Sequence, residues 1–310
     1  MPSPRRRADW LEIAVEVAGI DSELVVEILR QGCPGGVVIE PAVQADATGE
    51  GHIVDGDAPA LVKGYLPPDR DSARVRRSLR LALGLAPLQQ PPRWHRSRYL
   101  PAQVWQDSWK RYFRPRRVGR SLLVKPSWAS CALRASDIVI EIDPGMAFGT
   151  GQHPTTAMCL RTLEETVQPG MGILDLGTGS GILAIAAAKL GAASVLALDI
   201  DPLATKAARQ NAAANRVEAL VDVRQGGLSE AEAATDSFDL IVVNISSLTT
   251  EQLAPAFGRS LRAGGVLIAS GFLEDAVEDL CRIFRHAGLT VARVLEDGVW
   301  RAIVARKSPT

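Results

Sequence analysis

No excess of charge marks this chain: Lys plus Arg number 35, and so do Asp plus Glu. That balance removes net attraction to polyanions as an argument and leaves only local clusters to weigh. Cysteine is scarce. The four present, Cys33, Cys131, Cys159 and Cys281, form no C-x-x-C pair and stand near no histidine at metal-ligand spacing. A zinc ribbon and a disulfide-stapled scaffold are thereby excluded, no metal is expected, and scattered thiols fit the cytoplasm. Long apolar runs are missing too. The most apolar stretch, Ile182 to Ile200, is broken by Lys189 and ends in acids, so neither a membrane span nor a membrane partner is expected. Arg5-Arg6-Arg7 is not followed by an apolar core, which argues against a secretory signal, and residues 1–8 read as a disordered tail.

What is present suffices for two cores at 310 residues. Residues 9–86 read as a small α+β domain in βαββα order. Leu11, Ile13, Val15 and Val17 alternate with Glu12 and Glu16, the period of a half-buried strand. Asp21-Ser22 is placed to cap a helix carrying Leu24, Val25, Ile28 and Leu29. Val37-Val38-Ile39 and Leu61-Val62 read as short strands, and Arg70 to Leu83 as a second helix.

Residues 87–130 read as a linker with a helix, entered through Pro87, Pro91 and Pro92. From Arg93 to Lys125 basic residues crowd together with Trp94, Tyr99, Trp105, Trp109, Tyr112 and Phe113, and Asp107 is the only acid. Two readings are open. The stretch is either a surface for nucleic acid or an acidic protein, or a helix that buries Trp105, Trp109 and Phe113 while its arginines stay solvated.

Residues 131–310 alternate strand and helix patterns. Ile173–Leu176, Val195–Leu198, Val221–Val223, Leu240–Val243 and Val266–Ala269 are nearly continuous apolar runs, as parallel strands buried on both faces require. They predict a doubly wound, Rossmann-like α/β sheet. Leu289–Leu295 and Val299–Ala305 are joined through Asp297-Gly298, a hairpin signal, so the sheet should end in an antiparallel pair.

The strongest chemical signal is Asp175-Leu176-Gly177-Thr178-Gly179-Ser180-Gly181, between a strand and a helix. Glycines there allow a sharp turn and a close approach of ligand to a helix N-terminus. A dinucleotide fingerprint needs glycine where Ile182 stands. An acid at Asp175 would repel a pyrophosphate but would welcome the cationic methionine end of S-adenosylmethionine. The bland alternative is a turn that only packs helix on strand. Asp199 ends the next strand, where a carboxylate can accept from both ribose hydroxyls, while Asp201 is placed to cap the helix beginning at Pro202. Asn244 ends the fourth strand without the Pro-Pro-aromatic that clamps planar amides. It either offers its carbonyl oxygen to an aliphatic amine or caps the helix that follows. Asp143 to Thr156 is a glycine-dense loop placed to lie over the cofactor, in which His153 reads as structural.

These residues resemble the PrmA methyltransferases, which modify the bacterial ribosomal protein L-eleven. The likeness rests on Asp143 to Thr156, Asp175 to Ile185, Asp199 to Pro202 and Asn244-Ile245. It extends upstream over Trp109 to Trp128, including Arg117-Val118-Gly119-Arg120 and Lys125-Pro126-Ser127-Trp128. The resemblance implies a class I methyltransferase sheet, an N-terminal domain that recognises the ribosomal protein, and a linker helix. It also implies N-methylation of lysine side chains and the α-amino group, often to the trimethyl state. Its cofactor positions fall on Thr156, Gly177, Asp199 and Asn244, with Phe148, Gly149 and Thr150 in the loop nearby. The motif itself adds Asp175 and Gly179, and Asn244 is the expected catalytic residue, positioning the amine. Ser246 and Gln152 depart from the family's usual leucine and threonine.

Other classes make distinct demands. An NAD dehydrogenase is disfavoured by Ile182 and the terminal hairpin. Methylation of another protein or of RNA is the alternative within the same chemistry, and nucleic-acid contact is allowed but not required. A non-enzymatic RNA-binding protein would have no use for intact cofactor motifs.

Overall fold

The computed structural model describes residues 10–40, 43–45, 52–54, 59–67, 71–101, 114–143, 153–228 and 235–309. The chain forms two compact units, Met1–Tyr112 and Phe113–Thr310.

In the first unit, strands β1 (Trp10–Val17), β2 (Val37–Glu40), β5 (Ala60–Leu66) and β6 (Arg93–Trp94) form a sheet in the order β2-β5-β1-β6, and β7 (Arg98–Leu100) also pairs with β1. A separate small pair, β3 (Val43–Ala45) and β4 (His52–Val54), is antiparallel. Helices α1 (Ser22–Arg30) and α2 (Ser72–Leu85) supply Val25, Leu29, Leu79 and Leu83 to a core with Leu11, Ile13, Val15 and Val17. Period-two alternation on β1 thus meets i, i+4 spacing on the helices. The odd-numbered residues of β1 go to the core. On its opposite face Glu12 accepts from Arg98 at 2.6 Å, and Glu16 is met by His95 at 2.9 Å.

Two local expectations are revised. Asp21 stands at the N-cap of α1 but makes no capping bond, and its Oδ2 instead accepts from the Gln89 backbone N–H at 2.9 Å. The expected linker, 87–130, is shared between the units: β6 and β7 extend the first sheet, while β8 (Arg116–Val118) and β9 (Leu122–Lys125) belong to the second. The expected linker helix around Trp105, Trp109 and Phe113 lies outside the described residues.

The second unit opens with a three-stranded sheet, β10 (Ile138–Glu141), β9 and β8. Helix α3 (Pro154–Thr166) leads into β11 (Gly172–Leu176), α4 (Ile182–Lys189), β12 (Ser194–Asp199), α5 (Pro202–Ala214), β13 (Val221–Gln225) and β14 (Phe238–Asn244). There follow α6 (Ser247–Ser260), β15 (Leu261–Leu273), α7 (Val277–His286), β16 (Leu289–Asp297) and β17 (Trp300–Lys307). The seven-stranded sheet runs β13-β12-β11-β14-β15-β17-β16. Its first five strands are parallel and β17 is antiparallel to both neighbours, which is the terminal hairpin expected from the sequence. One core, with Leu160, Leu163 and Ile185, covers one face, and another, with Phe257 and Phe284, covers the other. Burial on both faces is why these strands carry no polar alternation.

Candidate active site

Sheet register gathers the polar groups. Asp175 pairs with Ala197 on one side and Val242 on the other, and Asn244 pairs with Ser270. Side chains two residues apart on a strand share a face. Asp175, Asp199, Asn244 and Ser270 therefore stand on one face at the carboxyl ends of four adjacent strands, where β11 and β14 diverge to opposite crossovers. Open α/β sheets bind ligands at such ends.

The glycine loop after β11 is shaped for that edge. Gly177, Gly179 and Gly181 all have positive φ, at 74°, 54° and 84°. A Cβ at Gly177 would lie 2.4 Å from Ile245 Cγ2, and one at Gly181 would lie 3.1 Å from Ala208. Both conformation and space demand glycine at these two positions. The Gly177 and Thr178 backbone N–H groups donate to the Leu198 carbonyl at 2.8 and 2.9 Å, pinning the loop to the tip of β12.

Asp175 is completely buried. Its Oδ2 accepts from the Thr178 hydroxyl at 2.6 Å and the Ala184 N–H at 3.0 Å, whereas Oδ1 is buried without a partner among the described residues. Burial pushes its pKa from 3.8 up to about 7; the bonds from Thr178 and Ala184 oppose the rise, and the Asp199 charge adds to it. Asp199 is half-buried, with Oδ2 accepting from the Gly179 N–H and Oδ1 from the Asp201 N–H, each at 2.9 Å. It therefore also braces the glycine loop. Asp201 caps α5 through the Leu203 N–H at 2.8 Å, the role its sequence position suggested.

Asn244 does not cap the following helix. Ser246 does, accepting from the Thr249 N–H at 3.4 Å. Asn244 is left to donate through Nδ2 to Thr156 Oγ1 at 3.3 Å, and its Oδ1 is buried with no partner among the described residues. Thr156 is fully buried in the first turn of α3. His153 caps that helix, its Nδ1 accepting from the Thr155 N–H at 3.3 Å, and its ring meets Trp300 edge-on at 4.7 Å. Phe148, Gly149 and Thr150 lie outside the described residues. Asp143, the last described residue before them, accepts from the Ser127 N–H at 2.8 Å and its hydroxyl at 2.9 Å.

Thr156, Asp175, Gly177, Gly179, Asp199 and Asn244 thus converge on one strand-end edge. Ile245 and Ser270 were not legible as members, because an Ile after Asn and a Ser in an apolar strand carry no signal of their own. Two unpartnered buried acceptors, a second carboxylate and a glycine cradle suit a ligand that brings cationic donors. They are unsuited to a pyrophosphate, which brings only negative oxygens.

Residues 9–308 match the family described as Ribosomal protein L11 methyltransferase (PrmA). A protein so named from Pelotomaculum thermopropionicum is 44% identical over 308 residues, covering 96% of this chain and 99% of its own length. One from Chloroflexus aurantiacus is 39% identical, over 96% and 98% respectively. The crystal structure of a ribosomal protein L11 methylase from Lactobacillus delbrueckii subsp. bulgaricus matches with a TM-score of 0.59 at 30% identity, covering 63% of this chain and 100% of that one. The chain belongs to the family of ribosomal protein L11 methyltransferases.

Proposed function

We propose that this protein transfers methyl groups from S-adenosylmethionine to lysine side-chain and α-amino groups of ribosomal protein L11, in the cytoplasm. The observation that carries the reading is the pair of buried acceptors, Asp175 Oδ1 and Asn244 Oδ1, that have no partner among the described residues, beside the glycine loop. An unpaired buried polar atom costs about 1–3 kcal/mol, so a site keeps two of them when a ligand completes them. When bound, the donor supplies a methyl group already activated on a sulfonium.

The chain's own residues then bind and orient. Asp199 is the acceptor for ribose hydroxyls, Gly177 and Gly179 let the ligand approach the backbone, and Asp175 faces positive charge. Thr156 fixes the Asn244 amide so that Oδ1 is free to accept from a neutral amine. A lysine at its ordinary pKa must first lose a proton, at a cost of roughly 4–5 kcal/mol near neutral pH. Desolvation beside positive charge lowers that cost. No side chain is assigned the departing proton. Positioning and dehydration are what the protein contributes.

Calorimetric titration with S-adenosylmethionine and, separately, with NAD tests the ligand class. Binding of the first alone is expected, and binding of NAD in its place would overturn the reading. Presenting purified L11 and ribosomal RNA side by side, with methyl-labelled donor, separates the main reading from its alternative. Label is expected in the protein.

A further inference from the structure

Several described cations of the basic stretch Arg93 to Lys125 are ion-paired. Arg98 holds Glu12, Arg117 holds Asp137, Arg120 reaches Glu164, and Lys125 holds Glu141. A more compact set of unpaired arginines overlaps the start of that stretch in the first unit. Between Asp71 and Pro101 there are seven arginines and a single acid, in a chain whose total charge is zero. Arg74 pairs with that acid, Asp71, and Arg93 lies 3.7 Å from Glu16. Arg76, Arg77, Arg80 and Arg96 have no ion pair among the described residues.

Three of these lie on α2, and one of the three meets an aromatic ring inside the first unit. On α2 the buried positions Ser72, Leu79 and Leu83 face the core, which puts Arg76, Arg77 and Arg80 along one flank. The Arg80 guanidinium lies over the Trp94 ring, 5.0 Å from its centroid, tying that flank to β6. Trp94 pairs with Val15 and Tyr99 with Leu11, so both rings stand on the same side of the sheet as α2. Arg96 lies in the link between β6 and β7 and is exposed, and Tyr99 is 65% exposed.

We propose that this edge of the N-terminal unit, formed by the α2 flank and the β6–β7 link, is a binding surface for single-stranded RNA. An acidic protein segment would satisfy the arginines but leaves an exposed tyrosine and a guanidinium-stacked tryptophan unused. Arginines track a phosphate backbone, and flat rings beside them accept unstacked bases. The surface contains none of the strand-end residues of the methyltransferase site, so the proposal stands whichever molecule accepts the methyl group.

The test uses the full chain and a fluorescein-labelled single-stranded RNA of twenty nucleotides, followed by anisotropy between 50 and 200 mM KCl. The triple variant Arg76→Glu, Arg77→Glu, Arg96→Glu should bind at least tenfold more weakly. Its slope of log affinity against log salt should be shallower by about 2, the change for three lost phosphate contacts. Tyr99→Ala should weaken binding about fivefold or more while leaving the salt slope unchanged, since stacking is not ionic. A milder Arg→Gln triple keeps the test valid if the charge reversal unfolds, and unchanged S-adenosylmethionine binding certifies either fold. Absence of RNA binding at 50 mM KCl, or binding that neither triple weakens, would overturn the proposal. So would polyglutamate displacing the RNA at equal charge concentration, because the surface would then be one for acidic protein.

Discussion

Asn244, at the tip of β14, donates its side-chain N–H to the hydroxyl oxygen of Thr156 in the first turn of α3, at 3.3 Å. The bond joins residues from different elements and leaves the other end of the amide free: Oδ1 is buried with no partner among the described residues. Ser246 meanwhile takes the helix-capping role that a turn-forming Asn would otherwise fill. The pair is therefore built to present an acceptor, not to end a strand.

Removing that acceptor should slow the chemical step. Asn244→Ala is expected to lose about 1–3 kcal/mol of transition-state stabilisation, one to two decades in single-turnover rate. Affinity for L11 should change little, because orientation matters most in the transition state. Thr156→Val, which keeps shape but removes the partner of Nδ2, should show the same signature at a smaller magnitude. Wild-type single-turnover rates in Asn244→Ala would reduce the residue to part of the wall.

Gly177 is a position of the glycine loop that does not accept a side chain without strain. Alanine there meets a φ of 74° and a contact of 2.4 Å to Ile245 Cγ2. The left-handed backbone alone costs roughly 1–2 kcal/mol. Gly177→Ala should lower the melting temperature and weaken S-adenosylmethionine binding. Adding Ile245→Ala should recover part of the stability by relieving the contact, but not the part due to φ. Full recovery in the double variant would show that space, not backbone conformation, sets the requirement.

Asp175 predicts a specific pH dependence. Its folded pKa is raised from 3.8 to about 7, so its stabilising contribution is complete below the unfolded value and is lost as pH rises through 7. Ligand-free wild type should thus lose thermal stability between about pH 4 and 7 relative to Asp175→Asn, which keeps an acceptor for Thr178 and Ala184 but cannot ionise. A cationic ligand favours the carboxylate, so the rise in melting temperature on adding S-adenosylmethionine should grow with pH in wild type and stay level in the variant. Parallel pH profiles for the two proteins would contradict this assignment.

Glu164 on α3 gives the opposite sign. Burial alone would raise its pKa, but the N–H groups of Arg120 and Ser121 and the Ser121 hydroxyl, at 2.7, 2.6 and 2.5 Å, outweigh burial and hold it below the usual glutamate value. Its contribution is present above the unfolded pKa and fades as pH falls through the lower folded one. Glu164→Gln, which aims an amide N–H at these donors, should cost about 1–3 kcal/mol at neutral pH. The gap from wild type should narrow in acid, as chemical denaturation at pH 7 and pH 3.5 would reveal.

The seven-stranded sheet was legible because its strands carry an apolar run for each buried face and its loops carry glycines that geometry demands. Asp199, Asp201 and the terminal hairpin could be read for similar reasons: each is fixed by its position at a strand tip, a helix start or a turn. Where partners lie far off in sequence, local pattern is silent. Nothing near Asp21 announces that its carboxylate serves Gln89, and nothing in Arg93-Trp94 announces two residues of strand on β1. In the basic stretch, likewise, the carboxylates that pair with Arg98 and Arg117 come from other elements and leave no local signal. Ser270 likewise joins the site only through register with Asn244.

The central claim is methyl transfer from S-adenosylmethionine to amines of L11. Its most direct test is intact-mass spectrometry of L11 incubated with the full-length protein and donor, followed by peptide mapping. Mass gains in whole methyl units, mapping to lysine side chains or the α-amino group and growing with time, are the predicted result. Unmodified L11, in the presence of protein shown by calorimetry to hold the donor, would contradict the account.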